Sequence, residues 1–556
     1  MDTTRLVLLV IFCVSLFMLG EKWYKEYGPK PAPAPTAVQP SPGADFTPVP
    51  GTTKAAPAPS TPAATPAATP EAGPIAGGEV VSVQTDLMHV EISTLGGDIR
   101  RVELLTHRDT VDLDRNLMLL DFGAKHTLVA QTGLIGQSLP NHKTPFVPDQ
   151  REIKLGEGVD KAVVTLTAND TASGTKVVKT LTFHRGSYVI DVGYRIENRG
   201  TGAVDPFVYY QLVRDDQAPP GESTWVPTFT GVALFTDKEK YHKISFGDIA
   251  KGKTSYPKES QDGWIGMVQH YFVTAWLPKN GGPREFYTRS LGNGLFAAGV
   301  IVPGPKVEPG ASADWSVPLY VGPQEQEKLA VLAPGLDLTV DYGWLTVIAA
   351  PLFWVLSAVH GVVKNWGVAI IIVTIIIKLI FFPLSAASYK SMAKMRMMAP
   401  KLQKLKEIHG DDRQKLHQSM MELYKTEKIN PLGGCLPIVI QIPVFIALYW
   451  VLLGSVEMRQ APFMLWIQDL SRPDPFYVLP ILMGISMIIQ TRLNPEPPDP
   501  IQAKVMKIMP IAFSVFFFFF PAGLVLYWLV NNILSIGQQW AITRRLENAG
   551  LGAAKR

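Results

Sequence analysis

Three rhythms of apolar residues follow one another along this 556-residue chain. Residues 6–20 form an unbroken apolar run, with Arg5 before it and Glu21, Lys22, Trp23 and Tyr24 behind it, a mix of charges and aromatics suited to a membrane interface. Phe17, Met18 and Leu19 are too large for signal cleavage, and Phe12 is too bulky beside Cys13 for a lipoprotein site, so residues 1–28 are expected to be an uncleaved transmembrane anchor.

From about residue 80 to 323 the period is two. Tyr188, Ile190, Val192, Tyr194 and Ile196 alternate with Val189, Asp191, Gly193, Arg195 and Glu197, the pattern of a half-buried strand. Similar strands are predicted at 163–167, 176–183, 207–213, 296–302 and 315–321, between Gly, Pro and Asn turns and with no long amphipathic helix among them. A large all-β sandwich over 79–340 is expected.

Beyond residue 341 the apolar stretches lengthen. Residues 345–360, interrupted by Pro351, are predicted to form an amphipathic helix lying on the membrane surface within 341–364. Residues 366–382, 435–454, 476–493, 505–520 and 522–542 are predicted to span, giving a five-helix core over 365–545 and, with the anchor, a polytopic α-helical membrane protein of six transmembrane helices. After the first core span, residues 384–430 are predicted to form a helical hairpin with arms at 386–409 and 411–429, turned at Gly410, capped by Asp411 and stopped by Asn430 and Pro431.

Charge supplies the orientation. Residues 383–430 hold ten basic and five acidic residues, which places the hairpin in the cytoplasm. Counting spans from there puts both termini and the tail 546–556 in the cytoplasm and the β region outside. The formal net charge of +4 thus divides into −6 over 75–345, with 26 basic and 32 acidic residues, and +10 over 346–556, with 21 and 11. Residues 29–74 contain 14 prolines and 12 alanines, so the linker 29–78 is expected to act as an extended tether. With 47% hydrophobic and only 18% charged residues the chain can bury several cores, and its positive mean hydropathy of +0.13 excludes a disordered chain and an ordinary soluble enzyme. Only Cys13 and Cys435 carry thiols, both in apolar stretches, so no disulfide framework is implied.

Enzyme motifs are missing: there is no phosphate-binding glycine loop ending in Gly-Lys-Ser/Thr, no His-Glu-x-x-His and no Gly-x-Ser-x-Gly. Gly484 and Ser486 read as a small-residue helix contact. The alternative of a multi-span transporter with an extracytoplasmic solute-binding domain is weakened by the lack of Asp or Glu within the core spans. The one charge well inside a span is Lys378. Either it snorkels to the cytoplasmic interface or it makes a wet cavity with Thr374 on its own face and with Gln441, Ser514, Asn531 and Asn532 from other spans. The hairpin's Lys394, Arg396, Lys401, Lys404, Lys406, Arg413 and Lys415 suit anionic lipid headgroups or ribosomal RNA, or are simply solvated.

The stretch NPLGGCLPIVIQIP at 430–443, the following FIALYWVLLGSVEMRQAPFMLWIQDLS, and FPAGLVLYWLVNN at 520–532 resemble the YidC/Oxa/Alb family of membrane protein insertases, in its Gram-negative form. The resemblance covers the whole layout. It implies an inner-membrane, nucleotide-independent insertase and chaperone with a periplasmic supersandwich domain, acting on nascent membrane proteins alone or with the Sec translocon and its accessory subunits. It implies ribosome and targeting-receptor contact through the cytoplasmic loops, and no cofactor, metal, catalytic residue or small-molecule substrate. Lys378 stands where Gram-negative members typically carry arginine in a hydrophilic groove open to the cytoplasm, and Gln441, Tyr527 and Trp528 match positions that line the groove or touch substrate.

Overall fold

The structure, a computed structural model, describes residues 47–48, 50, 78–123, 126–168, 174–221, 228–279, 281–410, 412–426, 436–493 and 500–554. The expected anchor, nearly all of the tether, Asp411, the helix stop at Asn430 and Pro431, and Cys435 lie outside the described residues.

The period-two region forms two sheets. One has ten strands, running from Glu259–Ser260 at one edge through Leu295–Pro303, Phe207–Asp215 and Thr127–Ile135 to Val80–Gln84 and Glu152–Lys154 at the other. The second has nine, with Phe272–Trp276, Ser312–Pro323, Val189–Asn198 and Thr175–His184 at its centre. Among the described residues all pairings are antiparallel except that of Val80–Gln84 with Glu152–Lys154. In Val189–Asn198 the residues Ile190, Val192, Tyr194 and Ile196 are buried, as their spacing requires. One core joins the two sheets, with Val90, Val102, Leu212 and Val300 from the first meeting Leu181, Ile190, Val273 and Leu319 from the second. Two short helices, α1 (Phe246–Ala250) and α2 (Gln326–Leu332), complete this domain.

The helical domain comprises α3 (Thr346–Val363), α4 (Trp366–Ile380), α5 (Phe382–Met397), α6 (Ala399–His409), α7 (Arg413–Thr426), α8 (Leu436–Gly454), α9 (Val478–Leu493), α10 (Pro500–Phe516) and α11 (Ala522–Ala554). By length and composition, Gly343–Val363 could cross a membrane, and α4 followed by Phe382–Met392 is a pair bent by 67°. The bend falls where Pro383 enters the first turn of α5, a position that tolerates its missing N–H. The hairpin differs from expectation in both arms: the second begins at Arg413 rather than 411, with Asp412 accepting from Gln414 N and Lys415 N, and the first begins at Phe382 and is broken at Met398 into α5 and α6. Pro400 at the start of α6 has no N–H to continue the α5 ladder.

Contacts with the β domain sort the helix ends. Leu453, near the end of α8, accepts from His270 Nε2 at 3.1 Å. In the loop that follows, Gln460 pairs with both main-chain groups of Arg108, at 3.0 and 3.1 Å. Arg459 donates to Arg108 O and, at 3.2 Å, to Thr110 Oγ1, and Arg472 donates to Thr110 O. The same loop receives the starts of three helices. Asn365 caps α4 and donates to Phe463 O at 2.9 Å, Asp474 accepts from Leu479 N in the first turn of α9, and Gly523 N in α11 donates to Leu470 O. At the foot of α4, Gly367 lies so close to the Phe463 ring that a Cβ there would sit 2.1 Å from it. Both ends of α3 lie on this side too: Tyr342, just before it, accepts from Gln326 Nε2 at 2.6 Å, and His360 stacks on Trp366 at 3.8 Å.

Candidate functional site

Four helices enclose a cavity of about 320 Å³. Ile377 of α4, Gln441, Ile442, Val444 and Phe445 of α8, Met483, Met487, Gln490 and Thr491 of α9, and Tyr527, Trp528, Asn531 and Asn532 of α11 line it. Five of the residues picked from sequence, Gln441, Tyr527, Trp528, Asn531 and Asn532, therefore share one space. An aromatic cluster fixes one part of the wall: Phe445 stacks with Tyr527 at 5.7 Å and tilts against Trp528 at 4.6 Å, and Trp528 meets Phe517 edge-on at 4.4 Å. Trp528 Nε1 is buried with no hydrogen-bond partner among the described residues. Asn532 ties α11 to α9 by donating to Ser486 Oγ at 3.3 Å.

Thr374, Lys378 and Ser514 do not line this cavity. The Thr374 hydroxyl donates back to Ile370 O at 2.7 Å, one turn earlier in its own helix, a bond open to any helical threonine. Ser514 donates to Pro480 O at 3.0 Å, in a close contact between α10 and α9. That contact depends on Gly484, where a Cβ would sit 2.5 Å from the Ser514 hydroxyl. The small-residue expectation for Gly484 and Ser486 fits what is seen.

Lys378, in the last turn of α4, is only 4% exposed. Its ammonium donates to Ser535 Oγ at 2.7 Å, and Ser535 Oγ donates in turn to Asn531 O at 2.7 Å. Lys378 is thus one hydroxyl away from a cavity-lining residue. Ser535, Tyr389, Gln490 and Thr491 were missed in the sequence because each is an ordinary polar residue within a long helix. A clue existed for Ser535, which falls one turn after Asn531 on α11.

In the hairpin, Lys401, Lys404 and Lys415 are exposed, and Lys415 pairs with Asp412 at 3.3 Å. Lys394, Arg396, Lys406 and Arg413 lie on helices α5, α6 and α7, with side chains outside the described residues.

Outside the helices, burial sets the ionisation of the joint with the β domain. It pushes the Glu457 carboxyl up to about 7, helped by Glu325 and Glu327 and opposed by Lys328. It pulls His270 down to about 4, so that the imidazole bonding Leu453 O is neutral.

A helical domain that holds a polar cavity between apolar helices, carried beside an all-β domain, fits the class of membrane proteins with a large domain outside the bilayer. The sequence matches the YidC periplasmic domain over residues 80–355 and the 60Kd inner membrane protein over residues 358–549. The membrane protein insertase YidC of Aromatoleum aromaticum is 57% identical over 100% of both chains. That of Nitrosospira multiformis is 54% identical, covering 100% of this chain and 99% of its own. A crystal structure of an active YidC insertase with its first transmembrane domain resolved aligns with 83% of this chain and 94% of its own at 17% identity, with a TM-score of 0.39.

The chain belongs to the YidC family of membrane protein insertases. It is an inner-membrane insertase with an all-β periplasmic domain and a membrane domain, it acts on nascent membrane proteins, and it is not an enzyme. The transporter alternative gains nothing from these relatives.

Proposed function

We propose that the cavity between α4, α8, α9 and α11 is the groove through which this insertase takes the polar segments of its substrates, with Lys378 as its charge. One observation carries the reading. Gln441, Tyr527, Trp528, Asn531 and Asn532 gather on one cavity in an otherwise apolar helical domain, and Lys378 is linked to that cavity through Ser535 and Asn531.

A polar tail crossing hydrocarbon loses its hydrogen bonds to water, at several kcal/mol for each unsatisfied group. Amide and hydroxyl groups in the groove replace some of those partners, and a cation draws carboxylates toward it. The substrate's apolar segment leaves between α8 and α10 into lipid. With 16 residues, α9 is about 24 Å long, against a hydrocarbon core of about 30 Å, so the bilayer thins beside the groove and shortens the crossing.

The topology follows by parity. The starts of α4, α9 and α11 and the end of α8 meet the β domain or its contact loop, and the β domain is periplasmic. The hairpin α5–α7 and the C-terminus are then cytoplasmic, and the N-terminal anchor supplies a sixth span. Because α3 begins and ends on the periplasmic side, it lies along the membrane surface despite being long enough to cross. We assign residues 1–28, 29–78, 79–340, 341–364, 365–545 and 546–556 to the anchor, tether, β-sandwich, surface helix, insertase core and tail. The hairpin's basic residues meet the ribosome, targeting receptor or anionic lipids, and the core works alone or beside the Sec translocon.

The test is insertion of a single-span substrate in cells depleted of the native insertase. Lys378→Ala should lower insertion at least tenfold, and Lys378→Arg should keep most of it. Full activity of Lys378→Ala would show that the lysine merely snorkels. In the same cells, deletion of 392–425 should reduce co-sedimentation with ribosomes at physiological salt, and unchanged co-sedimentation would remove the hairpin from that role.

A further inference from the structure

We infer that Ser535 is a positioning residue for insertion: it holds the Lys378 ammonium at the groove and ties it to the cytoplasmic hairpin. The inference rests on the groove reading above. An ammonium carries three donors, and among the described residues that of Lys378 has a single hydrogen-bond partner, Ser535 Oγ at 2.7 Å. The direction of that bond is fixed. Ser535 gives its own proton to Asn531 O at 2.7 Å, which leaves its oxygen free only to accept.

A second group stands beside the same oxygen: the Tyr389 side chain, on the first arm of the hairpin, lies close enough to Ser535 to interact with its hydroxyl. Around this point α5 is buried at Ser385 and Ser388, so its polar face turns inward against the core.

The Ser535 hydroxyl therefore joins the cation on α4 to the cavity wall at Asn531 on α11, beside the root of the hairpin on α5. Its position has a consequence for substrate. With one bond made, the ammonium keeps two donors for a carboxylate, and it is held one hydroxyl away from the cavity-lining Asn531. Lysine has a long stem with several rotatable bonds, unlike the planar fork of arginine, so an acceptor that selects one rotamer matters more for it.

The experiment compares insertion of two substrates that differ only in a short translocated tail, one with two aspartates and one with two asparagines. Ser535→Ala should lower the acidic-to-neutral insertion ratio about tenfold, as expected for a lost hydrogen bond to a charged group. Ser535→Thr should restore it, and Tyr389→Phe should lower it by about threefold without changing any residue of α11. In the Lys378→Ala background, Ser535→Ala should have no further effect on the ratio. Equal loss for both substrates, or a further change of the ratio without Lys378, would overturn the positioning role. A Lys378→Ala protein with an unchanged ratio would instead overturn the groove reading beneath it. If Ser535→Ala fails to accumulate, Tyr389→Phe decides, and an unchanged ratio in that variant overturns the link to the hairpin.

Discussion

Among the described residues two lysines are buried, one in each domain, and their surroundings differ. Lys179 in the β-sandwich is 1% exposed; it donates to Gly96 O at 2.9 Å and Gly97 O at 2.8 Å, and the Asp98 carboxylate lies close enough to favour its charge. Lys378 in the helical core is 4% exposed and bonds one hydroxyl. Burying a charge is costly unless it is paired and hydrogen-bonded. The sandwich meets that cost within its own fold, so Lys179 is structural. Among the described residues the core gives Lys378 one acceptor for three donors, which is the condition for a group that takes an external partner.

The contrast can be broken most directly by removing each cation in the full-length protein. Lys179→Met would leave Asp98 buried with its Gln131 bond but without its counter-charge, and should destabilise the β domain by about 3–5 kcal/mol. Unfolding followed by the β-sheet circular dichroism signal would read this. Lys378→Met should be neutral or slightly stabilising, since an apolar side chain of similar length replaces a charge with no carboxylate partner, while insertion falls. Equal losses of stability in the two variants would erase the distinction.

A smaller effect sharpens it at the joint between the domains. Glu457 has a buried carboxylate oxygen with no hydrogen-bond partner among the described residues, and its folded value of about 7 lies above the ordinary 4.5. Its contribution to stability is therefore fully present below about pH 4.5 and is lost as pH rises through about 7. Glu457→Gln should leave the melting temperature unchanged at pH 5 and raise it by a few degrees at pH 8. A rise of the same size at both pH values would mean that the buried charge is not the cause.

Much of this was visible in the chain. Alternation marked strands such as Val189–Asn198 to within two residues, because one face of each is buried. The core helices followed from apolar length, with Pro383 and Pro521 where helices begin or break; the break before Pro400 was not expected. The site was legible where a polar residue is rare: Lys378, Gln441, Asn531 and Asn532 stand out against apolar spans. Thr374 and Ser514 stood out equally but do not line the cavity, because their short hydroxyls bond the nearest carbonyl, one in its own helix and one across a glycine contact. Spacing along a helix gives a face; it does not say whether a hydroxyl on that face already has a partner. Lys179 was not singled out at all, since its glycine carbonyl partners lie more than 80 residues away in sequence.

Occupancy of the cavity between α4, α8, α9 and α11 by substrate is tested with a photo-cross-linking residue placed in turn at Gln441, Asn531 and Ser514 and a ribosome-stalled single-span substrate. Cross-links to the nascent chain are expected from 441 and 531 and few from 514, which is turned into the α9–α10 contact. Cross-links from 514 as strong as those from 441 and 531, or none from either cavity position, would contradict that occupancy.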